Sequence, residues 1–257
     1  MGINRKRILA FIHIPKAAGS TVTHILRSKF GLNHCRVISK DEVYKPKDLI
    51  FDQKIYPRLQ SISGHQLRPH INFGSFEEQL FWFVMLREPV ERFISQYKWW
   101  RHTNNSKISF EKWCEIKGKK FADFQVKWLA GESNVEKAIE ILDRKIDCVG
   151  TQTHFNESLK MIHVLSGENS IPTFIDRRVT ASKLKLSHLE TEISKNYNQC
   201  DIEMYDFFIK NIWEDQKLKV SDESSEVKYL DTFSDTIRRN LNMTYHWLVY
   251  RKIKSLV

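Results

Sequence analysis

The sequence predicts an α/β fold in which a parallel sheet is flanked by helices. Two nearly continuous apolar runs, Ile8 to Ile14 and Phe81 to Leu86, have the composition of central parallel strands covered on both faces. Each run is followed by a turn and then by apolar residues at helical spacing. Alternation of strand and helix in this way is typical of a doubly wound parallel sheet.

The same periodicity predicts the remaining elements. A helix from about Ser20 to Phe30 follows the first strand, and Pro89 suits the first turn of the helix after the second strand. A third, shorter strand is predicted at Ile146 to Val149, before a helix that carries Phe155. Further helices are predicted at about 110–130, 134–144, 187–198 and 201–214.

The length of 257 residues fits one large domain with a sizeable core. Hydrophobic residues make up 41% and charged residues 28%, which excludes a largely disordered chain. We assign residues 1–218 to the main domain. Residues 219–257 begin with a polar stretch and are predicted to be a linker and a C-terminal segment docked on the same domain.

The net charge and the cysteines limit which binding partners and which cell compartment we expect for this protein. A net charge of +10 favours anionic ligands such as phosphate, sulfate or nucleic acid, although a basic surface also serves solubility alone. The four cysteines are far apart and form no metal-binding pattern, so we expect free thiols. No apolar stretch reaches the ~18 residues that span a bilayer, and the run ending at Pro15 lacks a signal-peptide cleavage site. We expect a cytoplasmic protein without stable membrane insertion.

An anion-binding turn is predicted between the first strand and the first helix, where residues 13–21 read His-Ile-Pro-Lys-Ala-Ala-Gly-Ser-Thr. Backbone N–H groups and the positive end of a helix cradle anions at such a P-loop-like position. A kinase P-loop has its lysine directly after the last glycine, whereas here the lysine comes before the glycine. The candidate binding residues are Lys16, Ala17, Ala18, Gly19, Ser20 and Thr21.

A second anion motif, Leu-Arg-Glu-Pro-Val-Glu-Arg-Phe-Ile-Ser-Gln-Tyr, covers residues 86–97. The two segments together resemble the 5′-phosphosulfate loop and the 3′-phosphate motif of sulfotransferases that use 3′-phosphoadenosine 5′-phosphosulfate (PAPS), particularly carbohydrate enzymes of the heparan sulfate 2-O and 6-O type. The resemblance implies the sulfotransferase fold, PAPS as sulfuryl donor and a hydroxyl of a carbohydrate or related small molecule as acceptor. It assigns Arg87 and Ser95 to the 3′-phosphate; the alternative is an Arg87 paired with Glu91 and a solvated serine.

Looser similarity extends this resemblance over about residues 8–214. Residues 149–159 look like a family segment that begins Val-Gly, though Thr153 stands where an acid is common, and Asp201 to Tyr205 look like a family helix. Residues 173–183 resemble a loop that covers the nucleotide and suggest Arg178 and Thr180 as binding residues. The asparagine of that loop is missing, so an exposed basic loop is an equal alternative.

Sulfuryl transfer is expected to proceed by in-line displacement, for which positioning and electrostatics matter most. Lys16 is the candidate for stabilising charge on the leaving phosphate, and we expect no metal. A neutral hydroxyl needs a base, and histidine suits neutral pH. His65, in a Gly-His setting that resembles 2-O-type enzymes, is the first candidate and His70 the second, whereas His13 is expected to be structural.

An acceptor groove lined by aromatic residues is a further hypothesis, since aromatic faces stack on sugar rings and arginine pairs with sulfate or carboxylate. The alternative is that these residues belong to the core. The candidates are Trp82, Trp99, Trp100 and Arg101.

Two other functions compete with sulfuryl transfer. An ATP-dependent small-molecule or nucleotide kinase with a degenerate P-loop lacks support from the lysine position and from any evident magnesium-binding aspartate after a strand. A basic nucleic-acid-binding module lacks a zinc finger or RNP motif, and we expect no nucleic-acid partner. Family members that act on glycosaminoglycans lie in the Golgi behind a membrane anchor. The sequence therefore favours a bacterial-type cytoplasmic enzyme for a glycan precursor or small metabolite.

Overall fold

The computed structural model describes residues 7–167, 171–172, 187–221, 229–230 and 232–256. The proposed nucleotide-covering residues Arg178 and Thr180 lie outside the described residues. Within the described part of the chain, no helix is both long enough and apolar enough to cross a membrane.

The centre of the fold is a parallel sheet of five strands, as the sequence predicts. Its order is β2-β3-β1-β4-β5, so β1 is the middle strand and Ala10 lies between Ile62 and Trp82. The strands are β1 (Ile8–Ile12), β2 (His34–Arg36), β3 (Ser61–Gly64), β4 (Leu80–Leu86) and β5 (Cys148–Thr151); a separate pair consists of β6 (Ile171–Pro172) and β7 (Tyr229–Leu230). The strand order turns back at β1, and in open α/β sheets ligands bind beside the carboxyl ends of strands at such a point.

The sequence does not predict β2 and β3, because both strands are short and bury polar side chains. His34 pairs through Nδ1 with Ser61 Oγ at 2.8 Å and through Nε2 with Ser63 Oγ at 3.2 Å. These hydrogen bonds satisfy the buried polar atoms, so the two strands need no apolar run. The third predicted strand is found two residues later, at Cys148–Thr151.

Apart from the helix predicted over residues 110–130, the predicted helices lie close to their predicted positions. Pro89 occupies the first turn of its helix, where the Glu88 side chain accepts hydrogen bonds from the Val90 and Glu91 N–H groups. The α-helices are α1 (Gly19–Phe30), α2 (Pro46–Ile55), α3 (Pro89–Thr103), α4 (Phe110–Trp113), α5 (Lys119–Phe121), α6 (Phe124–Ala130), α7 (Val135–Arg144), α8 (Phe155–Leu165), α9 (His188–Asn196), α10 (Gln199–Phe207), α11 (Glu214–Ser221), α12 (Thr232–Tyr245) and α13 (Arg251–Leu256).

The single helix predicted over residues 110–130 is wrong, because the chain forms three short helices there. A π-helical segment, Cys114–Gly118, separates α4 from α5, and the backbone then breaks at Ala122 and Asp123. Asp123 has a left-handed φ of 45°, and its carboxylate accepts hydrogen bonds from the Cys200 and Asp201 N–H groups. The break therefore caps α10, a tertiary contact that helical periodicity does not reveal.

The C-terminal helices contact the first half of the chain. Asn242 Nδ2 on α12 donates to the carbonyl oxygens of Gly31 and His34 at 2.7 and 2.6 Å, at the end of α1 and the start of β2. Lys254 on α13 lies 3.0 Å from the Asp48 carboxylate. Helix α11 extends through Ser221, past the predicted start of the polar linker at residue 219.

Candidate active site

The two predicted anion turns meet at the carboxyl edge of the sheet. Strands β1 and β4 are neighbours, with Ile12 opposite Val84, so the residues that follow them emerge side by side. Arg87, directly after β4, donates from Nη1 to the Lys16 carbonyl oxygen at 3.4 Å. Turns separated by about 70 residues in sequence thus form one basic edge.

The first turn holds its backbone in a conformation suited to anions. Lys16 and Ala18 have left-handed φ angles of 72° and 58°, which L-residues other than glycine rarely adopt. Such strain costs on the order of 1–3 kcal/mol per residue and concentrates at functional sites. Left-handed residues within a turn direct successive N–H groups toward one point, and the first N–H groups of α1 lack acceptors within the helix. The turn therefore offers a concave set of backbone donors.

The predicted binding residues of this turn differ in accessibility. Ser20 is half-buried at the start of α1, whereas Thr21 and Ala17 are buried. The Thr21 N–H bonds to the Ala18 carbonyl oxygen at 3.0 Å, and the Ala17 N–H bonds to that of Ile14 at 3.4 Å. Ala17 and Thr21 thus support the shape of the turn, while the Ser20 hydroxyl is the better-placed donor.

The His13 imidazole leaves no room for a side chain at position 19, where the sequence has glycine. A Cβ at position 19 would lie 1.9 Å from His13 Cδ2 and 2.1 Å from His13 Nε2. The His13 ring also stacks on Phe11 at 5.6 Å between ring centroids. His13 therefore packs directly on the anion turn, which agrees with the structural role expected for it.

His65 adjoins this packed histidine, with ring centroids 4.1 Å apart. Its Nδ1 donates to the His13 carbonyl oxygen at 3.0 Å, because a carbonyl can only accept. In the neutral ring, Nε2 then carries the lone pair that a general base requires. Desolvation lowers the pKa of His65 below its ordinary value, and Arg36 and Arg68 act in the same direction, whereas the hydrogen bond to the His13 carbonyl acts against them.

His70 occupies a different part of the surface. Its Nδ1 donates to the Leu129 carbonyl oxygen at 3.1 Å, and its ring packs against Gly131. It lines a groove together with Arg7 and Asp147, which directly precede β1 and β5 at the amino edge of the sheet. The geometry thus brings His65, but not His70, next to the anion turns.

A buried polar network positions Arg87. Gln125 accepts from the Arg87 N–H at 3.0 Å and donates to the Arg87 carbonyl oxygen at 2.9 Å. The Asp201 carboxylate in turn accepts from the N–H groups of Gln125 and Val126 and forms a fully buried ion pair with Arg92 at 3.8 Å. The resemblance marked Asp201 but gave no role for it, and Gln125 carries no local sequence signal.

The side chains near Arg87 include Glu91 and an unexpected lysine, Lys98. Arg87 Nε and Nη2 each lie 3.3 Å from Glu91 Oε2, so the alternative pairing with Glu91 is present in addition to the contact with the first turn. Ser95 is buried on α3 rather than solvated. Burial lowers the pKa of Lys98, and so does the nearby Arg87, so sequence analysis missed a third cation here.

The proposed acceptor-groove residues separate into core and surface. Trp82 is fully buried against Phe73, which assigns it to the core. Trp100 packs on the aromatic cluster of α3 and α4, and Arg101 donates to the Ser106 carbonyl oxygen. Trp99 alone of the four lies beside the anion turn, with Lys16 Nζ 5.9 Å from its ring centroid.

Trp128 is an aromatic neighbour of His65 that sequence analysis missed. Its ring meets the His65 ring edge-on, with centroids 6.1 Å apart, and the Arg68 guanidinium carbon lies 3.2 Å from the Trp128 centroid. No motif marks Trp128, because α6 and the loop after β3 come together only through the fold.

The weaker sequence similarities correspond to structural contacts. The Tyr205 hydroxyl bonds to Thr151 Oγ1 at 2.9 Å, and Ser158 Oγ accepts from the Thr151 N–H at 2.9 Å. These buried bonds join α10, β5 and α8. Among the described ranges, no group of three or more potential metal ligands is found.

A family model matches most of the chain. Residues 1–247 match the family model described as "Sulfotransferase family", which spans the sheet, both anion turns and most of the C-terminal helices. A search of curated proteins finds no significant match.

Proposed function

The chain belongs to the sulfotransferase family, and we propose that it transfers a sulfuryl group from PAPS to a hydroxyl of a carbohydrate or related acceptor. The observation that carries the proposal is the contact between Arg87 Nη1 and the Lys16 carbonyl oxygen. It joins the two predicted anion turns at one edge, as a ligand with two separated anionic groups requires.

The residues present fit the donor. The first N–H groups of α1, the Ser20 hydroxyl and the Lys16 ammonium suit the 5′-phosphosulfate, and the Arg87 fork with the Ser95 hydroxyl suits the 3′-phosphate. Lys98 adds positive charge near Arg87. Arg178 and Thr180 remain candidates for covering the nucleotide.

The proposed mechanism assigns one task to each side chain. The bound donor supplies an activated sulfuryl group, whose bond to the phosphate oxygen breaks as the acceptor oxygen bonds to sulfur. His65 Nε2 accepts the proton of the acceptor hydroxyl, and its Nδ1–H bond to the His13 carbonyl fixes the required tautomer. The Lys16 ammonium stabilises charge that develops on the leaving phosphate.

The decisive experiment measures nucleotide selectivity by calorimetry. We expect adenosine 3′,5′-bisphosphate to bind more tightly than AMP, and Arg87→Ala to remove most of this difference, by about ten- to a hundredfold in affinity. Arg144→Ala is the matched control, because Arg144 lies exposed on α7 and pairs with Glu140. Preference for ATP with magnesium would favour a kinase, and steeply salt-dependent binding of any nucleic acid would favour the other alternative.

Transfer itself is tested with radiolabelled PAPS and pools of candidate acceptors. We expect label to enter a hydroxyl-bearing acceptor with the wild type and to fall strongly with Lys16→Ala and His65→Ala. Undiminished transfer by both variants would contradict the assigned roles.

We also propose a cytoplasmic location, supported by the state of the cysteines. All four are free, and Cys35, Cys114 and Cys148 are buried. Free thiols are characteristic of a reducing compartment. Localising the full-length protein in fractionated cells tests this proposal.

A further inference from the structure

The last helices of the chain form one rod with an apolar outer face. Helices α12 and α13 are joined by the π-helical segment His246–Tyr250, and the backbone stays helical at both junctions. The inner face of this rod packs on the first half of the chain through Asn242 and Lys254. The outer face carries large apolar side chains that are exposed to solvent: Ile237, Leu241, Met243, Trp247, Leu248 and Leu256.

Most of these side chains are neighbours on the helix surface. Ile237 and Leu241 are four residues apart, and so are Met243 and Trp247. Residues at this spacing lie next to each other along one side of a helix. Leu248, the next residue after Trp247, is 59% exposed. Single exposed apolar residues need no explanation, but a group of this kind marks a surface for interaction.

The surface around the apolar side chains is basic. Residues 236–257 contain five arginines and lysines and no aspartate or glutamate, and the preceding Asp235 is buried. The exposed polar residues Asn240 and Thr244, which lie between the two apolar pairs, are uncharged. Residues 19–36, against which α12 packs, contain three arginines and lysines and again no acidic residue. Two segments that are distant in sequence therefore contribute only positive charge here.

Several of these cations lie close to the apolar face. The Arg251 guanidinium carbon is 4.2 Å from the Trp247 ring centroid, and the Trp247 side chain is still 56% exposed. Burial lowers the pKa of the adjacent His246 to about 4, and Arg27, Arg36 and Arg251 act in the same direction. Arginines from α1, β2 and α13 thus lie around one buried imidazole next to Trp247.

The charge of this face decides between possible partners. A symmetric dimer through it would place the arginines and lysines of one copy against those of the other, which is unfavourable. Interfaces with nucleic acid are polar and do not require large exposed apolar side chains. An anionic membrane surface suits both kinds of side chain, because apolar groups enter the acyl boundary while arginine and lysine reach the lipid phosphates.

We propose that the outer face of α12 and α13 binds reversibly to an anionic membrane surface. Leu241, Trp247 and Leu248 enter the boundary between headgroups and acyl chains, and Arg251 and Lys252 pair with anionic headgroups. Anionic lipids are concentrated in the cytoplasmic leaflet, which agrees with the proposed location. Such binding needs no helix that spans the membrane, and it does not depend on the proposed sulfuryl transfer.

Flotation with lipid vesicles tests the proposal. Vesicles of phosphatidylcholine alone are compared with vesicles that also contain about 30% phosphatidylserine. We expect the wild type to bind the anionic vesicles at least about tenfold more tightly, and added salt should weaken this binding. Arg87→Ala should bind the vesicles as the wild type does, because the basic edge at Arg87 is not the proposed contact.

The apolar contribution is tested by the double variant Leu241→Ser with Leu248→Ser. We expect its affinity for anionic vesicles to fall about tenfold or more, because each leucine no longer transfers apolar surface out of water. The matched control is Leu189→Ser with Leu218→Ser, which replaces two leucines of similar exposure on α9 and α11. This control should bind the vesicles as tightly as the wild type.

The charge contribution is tested by the double variant Arg251→Gln with Lys252→Gln. Removal of two cations should also lower the affinity for anionic vesicles about tenfold or more. Lys119→Gln with Lys120→Gln, which removes two exposed lysines from α5, is the matched control and should retain the affinity of the wild type. Thermal unfolding identifies any variant that has lost its fold, and the other double variant then decides.

Three results would overturn the inference. The first is equal binding of the wild type to neutral and anionic vesicles, and the second is unchanged binding by both double variants. The third is a wild type that sediments as a dimer without lipid and becomes monomeric with Leu241→Ser and Leu248→Ser, since a second copy then occupies this face. Loss of vesicle binding in Arg87→Ala would also contradict it. Failure to bind adenosine 3′,5′-bisphosphate overturns the proposed function alone.

Discussion

His13, Gly19 and His65 form one continuous contact between the anion turn and the proposed base. The imidazole of His13 fills the space where a side chain at position 19 would lie, and its carbonyl oxygen orients His65. A displacement of His13 therefore changes both the turn and the base.

We predict that Gly19→Ala lowers stability and transfer activity together. The new methyl group would overlap the His13 ring, and such overpacking costs typically about 1–3 kcal/mol. Denaturant unfolding and kcat measure the two effects. The double variant with His13→Ala removes the overlapping ring and should recover part of the lost stability. Additive losses in that double-mutant cycle would contradict the steric explanation.

The pH dependence of kcat/KM tests the role of His65. Desolvation lowers the pKa of His65. The neutral ring, which is the form that accepts a proton, therefore still prevails at pH values somewhat below 6.5, the ordinary pKa of histidine. Activity should therefore rise with pH along a limb centred below 6.5 and level off above it. His65→Ala should remove the limb and lower the rate by about 10²- to 10⁴-fold. His70→Ala should keep the limb and the rate of the wild type. An unchanged limb in His65→Ala excludes this histidine as the base.

At the scale of elements, α6 and α10 together hold the residue that begins the second anion turn. Asp201 on α10 fixes the first turn of α6, and Gln125 from that turn binds both backbone groups of Arg87. The position of Arg87 thus depends on two helices that lie outside both anion turns.

Gln125→Leu is predicted to weaken binding of adenosine 3′,5′-bisphosphate and to destabilise the fold. The substitution keeps the side-chain size but leaves the Arg87 N–H and carbonyl without their partners, at a cost of about 1–3 kcal/mol. Calorimetry and denaturant unfolding measure the two losses. Gln79→Leu, at an exposed position before β4, is the matched control. Unchanged nucleotide affinity would mean that Arg87 does not need this support.

The elements differ in how far the sequence predicts them, and the reason is physical. Strands β1 and β4 consist of apolar residues buried on both faces, so composition alone identifies them. Strand β3 buries two serines whose hydroxyls hydrogen-bond to His34. The serines and the histidine are distant in sequence and come together only in the folded chain. The anion turns are contiguous in sequence and were predicted, whereas Gln125, Trp128 and Arg68 join them through tertiary contacts.

In the molecule as a whole, the C-terminal helices pack against the first βα unit. Asn242 binds the carbonyls at the end of α1, and Tyr250 and Lys254 reach the buried carboxylate of Asp52. Asp52 also accepts a hydrogen bond from the Tyr44 hydroxyl at 2.8 Å. Helix α1, which begins at the anion turn, is therefore supported along its far end by the last helices of the chain.

His246 is buried where the C-terminal helices pack on the rest of the fold. We predict that this burial makes the free energy of unfolding depend on pH. Burial, together with Arg27, Arg36 and Arg251, lowers the pKa of His246 to about 4, from 6.5 in the unfolded chain. Between pH 6.5 and 4 the unfolded state binds more protons, so the free energy of unfolding decreases as pH falls. One such histidine contributes a slope of up to about 1.4 kcal/mol per pH unit.

His246→Gln should reduce that slope. Denaturant unfolding at pH 5, 6 and 7 measures it, and His102→Gln, which replaces an exposed histidine on α3, is the control that should leave it unchanged. His34 is fully buried with its pKa well below the ordinary value, so part of the dependence should persist in the variant. An identical slope in wild type and His246→Gln would show that the C-terminal helices do not keep this ring desolvated in solution.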